Sequence, residues 1–160
     1  MDSGLAALIG VFLGGVITVL SNWLNHWHQA RRTSLNERIV RIERLHRQIN
    51  AQIDYLADLG MRLVFAYGRG AKVEVLKENA VPEIEFLVDV YLPSQTERVR
   101  QLWDLQNKIS GLAQEAMIFP SGTPSSDKIS DVVAVVASAK EHLQALKKEA
   151  VQELRSLLKK

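Results

Sequence analysis

A few residue groupings in this 160-residue sequence have types and spacings that could do chemistry. Glu43 and His46 form a Glu-x-x-His step, the ligand pattern that di-metal sites place inside helical bundles. Such a site needs a second copy of the step and further inward glutamates, and the sequence has no second copy. His26 and His28 stand two apart, so on a helix they diverge by about 200° and do not grip one metal ion. Asp54 and Asp58 share a helix face, where paired carboxylates could exchange protons with a substrate. No pocket-forming signature accompanies them, so they read as solvated charges. The segment Gly68-Arg69-Gly70 reads as a turn and lacks the spacing of a phosphate-binding loop. With no cysteine, thiolate metal sites, cysteine nucleophiles and disulfides are excluded. No catalytic, cofactor-binding or metal-binding residue is assigned, and the chain reads as non-enzymatic with no cofactor.

The elements that carry these residues are more informative than the residues themselves. The chain is 47% hydrophobic, 6% aromatic and 24% charged, a composition that argues against wholesale disorder. Between Asp2 and Arg31 there is no Asp, Glu, Lys or Arg, and eleven of the twenty residues from Leu5 to Leu24 are Leu, Ile, Val or Phe. Twenty helical residues extend about 30 Å, the thickness of a bilayer's hydrocarbon core. This predicts a membrane anchor over residues 1–30 with its span at 5–24. Trp23 and Trp27 then fall in the headgroup layer, followed by Arg31 and Arg32. A secretory signal fits less well, since no basic stretch precedes the apolar run and no small-x-small cleavage site ends it. Five arginines (31, 32, 38, 41 and 44) follow the span closely, which places the carboxyl-terminal side in the cytoplasm and the amino terminus outside the inner membrane. Ala6, Gly10, Gly14, Thr18 and Asn22 recur every four residues and form a stripe suited to close approach of a second helix.

Beyond Arg32, apolar residues at Leu35, Ile39, Ile42, Leu45, Ile49, Ile53, Leu56, Leu59 and Leu63 average 3.5 residues per step, the heptad period. They predict a long coiled-coil-like helix over about 31–67, free of proline and so able to continue directly from the span, with Gly60 as a local weak point. Residues 73–80 are ambiguous between helix and strand. Pro82 suits the first turn of a helix over 82–92, with Ile84, Leu87, Val88 and Tyr91 on one face. Ser94 and Glu97 have capping-box spacing before a helix over 94–117, in which Val99, Leu102, Leu105, Ile109, Leu112 and Ala116 share a side. A proline- and glycine-containing loop over 118–126 precedes a last helix over 126–159, whose inward side carries Ile129, Val132, Val136, Leu143, Leu146, Ala150, Leu154 and Leu157. The expected fold is all-α: one transmembrane helix, then an elongated cytoplasmic helical bundle over 31–160 with the two long helices antiparallel.

Residues 25–47 hold six arginines against two glutamates, whereas residues 48–160 hold 14 basic and 15 acidic residues. The positive excess therefore lies beside the expected membrane, where anionic lipid headgroups are its natural partners. Neither a basic stripe nor a set of stacking aromatics elsewhere points to nucleic acid. The leading expectation is a membrane-anchored helical assembly or adaptor protein acting through self-association or a partner's helices. Its rival is a membrane-permeabilising effector, of toxin or antiphage type, restrained by its cytoplasmic bundle.

Overall fold

The computed structural model describes residues 3–70, 79–118 and 125–159, with side chains described from Thr18 onward, Ile118 excepted. Among the described residues all regular structure is helical: α1 (Ser3–Arg69), α2 (Val81–Tyr91), α3 (Thr96–Ile118) and α4 (Ser126–Leu157), with a 3-10 turn at Pro93–Gln95. The chain divides into two compact units, Met1–Ile39 and Val40–Lys160. In the first unit the described side chains from Thr18 to Ser34 are exposed, and Leu35 and Ile39 are half-buried. Among the described residues no helix is long and apolar enough to cross a membrane. The span expected at 5–24 falls mostly on residues 5–17, whose side chains lie outside the described ones, as do those of Ala6, Gly10 and Gly14.

The second unit is a helical bundle in which the direction of each helix can be read from side-chain pairings. Helix α2 runs antiparallel to α1, because Gln52 Oε1 accepts from the Ala80 amide at 3.0 Å while Gln48 Nε2, earlier in α1, donates to Glu83 Oε2 at 2.7 Å. Arg44 completes this contact through an ion pair to Glu83. Trp103 Nε1 of α3 donates to Glu85 Oε2 of α2 at 2.9 Å. Helix α4 returns antiparallel to α1: Ile42 and His46 share one groove with Ala150 and Leu154, and Gly60 meets Val136. The chain thus alternates in direction from helix to helix, as short connections between neighbouring helices favour.

The core explains why these segments are helices. On α1 the fully buried positions are Ile42, Leu45, Ile49, Gln52, Leu56, Leu59 and Leu63, followed by Ala66 at 5% exposure. Their spacing alternates strictly between three and four residues. The same alternation recurs at Val99, Leu102, Gln106, Ile109, Ala113 and Ala116 of α3, and at Val132, Val136, Ala139, Leu143, Leu146 and Ala150 of α4. Side chains at a 3.5-residue period interlock along a shallow crossing angle. The sequence-based seam is corrected at one step: Gln52, not Ile53, holds the central buried position, and Ile53 sits half-buried at its edge. Gln52 Nε2 donates to Gln106 Oε1 at 3.2 Å, so one polar layer crosses the apolar core. Such a layer fixes helix register, because any slip leaves buried amides without partners.

Three local expectations also change. Helix α1 continues through Gly68 and stops at Gly70, whose φ of 69° and amide bond to the Ala66 carbonyl at 2.9 Å make a left-handed cap. Gly60 is a close-approach site, not a weak point: a Cβ there would lie 3.2 and 3.3 Å from the Val136 methyls. Ser94 is part of the 3-10 turn, and the hydroxyl at the start of α3 is that of Thr96, which donates to Asp89 Oδ1 at 2.8 Å and to the Pro93 carbonyl at 3.1 Å. At α4, Ser125 is the cap, its Oγ accepting from the Lys128 amide at 3.4 Å.

Gly60→Leu is expected to destabilise the bundle by about 1–3 kcal/mol through overpacking against Val136. Gln52→Leu should cost about 1–3 kcal/mol for the buried groups it orphans, with Gln106→Leu added to it recovering part of the loss. Chemical denaturation followed by circular dichroism checks both; no change in midpoint for Gln52→Leu would contradict the role given to the polar layer.

Candidate functional site

Three places hold the residues that could act. The first is the exposed stretch of α1 in the first unit. Val19, Leu20, Trp23, Leu24 and Trp27 are all exposed, Trp23 at 63%, and their positions gather them on one side of the helix. Thr18, Ser21, Asn22, Asn25 and His26 take the other side, so Thr18 and Asn22 of the expected small-residue stripe lie on the polar face. The Arg31 guanidinium stacks over the Trp27 ring with its carbon 5.7 Å from the centroid, and His28 meets the same ring edge-on at 5.3 Å. Arg32 is exposed beside them. A large uncovered apolar stripe is rare on a protein surface and marks a face that binds something.

The second is the cluster where Tyr67, Glu115 and Lys128 meet, which the sequence reading did not single out. Tyr67 Oη donates to the Leu112 carbonyl at 2.7 Å, the Ser125 amide donates to the Tyr67 carbonyl at 3.1 Å, and Lys128 Nζ donates to Glu115 Oε2 at 2.8 Å. Burial pushes the Tyr67 phenol above its ordinary 10.0, and Glu115 adds to the rise while Lys128 opposes it. The hydrogen bond to Glu115 raises Lys128 above its ordinary 10.5. Both groups therefore keep their protons at neutral pH. Neither offers the free base or neutral amine that nucleophilic or general-base chemistry requires. The cluster ties the ends of α1, α3 and α4 together.

The third is an open apolar groove of about 400 Å³ between α1 and α4. Gly60 and Val136 form its floor, Met61 and Phe65 one lip and Val133 the other, with Lys140 as the charge in its lining.

Of the residues that suggested chemistry in the sequence, Glu43 and His46 line one groove between α1 and α4, with Arg47 beside them. Glu43 is exposed, and His46 Nδ1 lies 3.4 Å from the Asn50 side-chain nitrogen. Asp58 pairs with Arg62 Nε at 2.8 Å, one turn along, while Asp54 stays exposed. Among the described residues no three His, Cys, Asp or Glu side chains form a group that could hold a metal ion. Gln52 and Gln106 were missed because the apolar reading skips polar types, although the three-four alternation passes through both.

The neutral Tyr67 phenol contributes stability that is fully present below pH 10.0 and is lost as pH rises through its raised value. Tyr67→Phe is expected to cost about 0.5–1.5 kcal/mol at neutral pH and to shrink the alkaline loss of stability. Lys128 titrates in the same window and keeps that loss from vanishing. Denaturation midpoints measured across that range check this; an unchanged alkaline slope in Tyr67→Phe would contradict it. No protein-family model matches the chain, and neither a curated protein nor a solved structure shows significant similarity to it.

Proposed function

We propose that this chain is a single-pass, membrane-anchored helical assembly or adaptor protein, non-enzymatic, that works through self-association or a partner's helices. The observation that carries the reading is the character of α1 before residue 30. Its run from Leu5 to Leu24 holds no charged residue, and the apolar side chains described at its end are exposed. In water such a run has nothing to gain from exposure. In lipid, eleven large apolar residues contribute about 3–7 kcal/mol toward insertion. Trp23, Trp27, Arg31 and Arg32 suit the headgroup boundary, where ring edges and guanidinium groups reach phosphate and water while apolar faces stay in hydrocarbon. The arginine excess just after the apolar run supports a place for residues 31–160 on the cytoplasmic side of the inner membrane, beside an anionic leaflet.

The bundle supports an adaptor role because it presents apolar grooves and helix faces, while its Tyr67–Glu115–Lys128 cluster holds its protons. When the full chain is expressed in bacteria and fractionated, it should sediment with membranes, resist high salt and alkaline carbonate, and be released by detergent. Leu13→Lys combined with Val16→Lys, each costing about 2.5–3.5 kcal/mol at the helix centre, should move it to the supernatant. Recovery of the unaltered chain in the supernatant without detergent would overturn the reading.

A further inference from the structure

We propose that the groove between α1 and α4 is the face on which a second copy of this chain docks two-fold symmetrically, with Asp54 of each copy opposite Lys140 of its partner. This rests on the self-associating role proposed above and names its interface. The shape is self-complementary. Met61, Phe65 and Val133 project as lips, exposed at 60%, 50% and 55%, around a floor where Gly60 supplies no side chain. Lips of one copy can seat against the floor of the other, giving the isologous contact that closed dimers use.

Charge then selects the arrangement. Lys140 is the charged residue in the lining, and Asp54 stands seven residues before Met61, two turns away on the same side of α1. Neither makes an ion pair or hydrogen bond within the described chain, whereas the neighbouring Asp58 is taken by Arg62. Because α1 and α4 are antiparallel, Ala57 and Lys140 line the same end of the groove, one turn from Asp54. A two-fold axis parallel to α1 sets the α1 of one copy against the α4 of the other at the same level, and so brings Asp54 to Lys140 twice. An axis perpendicular to α1 carries Asp54 to the Phe65 end, away from Lys140. Unlike a bound acyl chain, a second copy satisfies the cation and the unpaired carboxylate together.

The absence of cysteine gives a clean test. In the full chain in mild detergent, mild oxidation of a mixture of Met61→Cys and Ala137→Cys copies should link α1 of one to α4 of the other as a disulfide dimer and leave Gln101→Cys, exposed on α3, unlinked. Asp54→Lys or Lys140→Asp alone should weaken the dimer about tenfold, and the two together should restore it, since reversed charges still attract. A wild-type dimer with no link between Met61→Cys and Ala137→Cys copies, or a double reversal that stays as weak as the singles, would overturn this interface while leaving self-association through another face intact. A strictly monomeric wild type would overturn the interface and self-association together, and membrane recovery of the same sample tells whether the anchor survives.

Discussion

Burial of the α1 seam within its own chain, from Ile42 to Ala66, is the constraint on which the rest of the bundle depends. A lone helix with a heptad stripe must hide that stripe against another copy or against its own chain, and here α2, α3 and α4 do so. The buried positions of α3 and α4 follow the same three-four alternation, so these helices interlock with α1 along their length. Gln52 and Gln106 interrupt the apolar layers at one level, and Gln52 also holds the backbone leading into α2. An apolar pair there would leave the Ala80 amide without its Gln52 partner and would hold register less strictly, because a slip between α1 and α3 would then separate no paired amides.

The same helix is treated differently before residue 40. From Val19 to Trp27 its apolar side chains are exposed, while from Ile42 onward the corresponding stripe is covered. That contrast along one helix is the physical basis for the proposal that lipid covers the first stretch, as protein covers the second. The charge pattern agrees with this division, since the arginine excess begins where the apolar residues stop. The apolar groove of α1 and α4 is a third case: a shallow uncovered face within an otherwise well-packed bundle, with one unpaired charge near it on each helix.

Much of the bundle was legible in the sequence because 3.5-residue periodicity translates directly into a buried face. Leu45, Leu56, Ile109 and Leu143 were all marked by it. What it hid has physical reasons. Gln52 and Gln106 carry the pattern with polar side chains, and only their partnering makes burial tolerable. Gly60 reads as a helix weakness because its benefit, the close approach of Val136, lies in another helix. The Tyr67 clamp joins residues 45 positions apart and has no local signature. The expected helix-or-strand ambiguity at 73–80 lies mostly outside the described residues, as does most of the loop over 118–126. The tryptophans and arginines at the end of the apolar run stand exposed, and among the described residues no metal-binding group forms around the motifs that suggested metal chemistry.

The central claim, that lipid covers the first part of α1, is tested most directly by tryptophan depth. The three tryptophans divide conveniently, with Trp23 and Trp27 in the exposed stretch and Trp103 bonded to Glu85 in the bundle. Variants retaining one tryptophan each would be reconstituted into vesicles whose acyl chains carry bromine. The account predicts strong quenching of Trp23 and Trp27 and none of Trp103; unquenched emission from both Trp23 and Trp27 would contradict it.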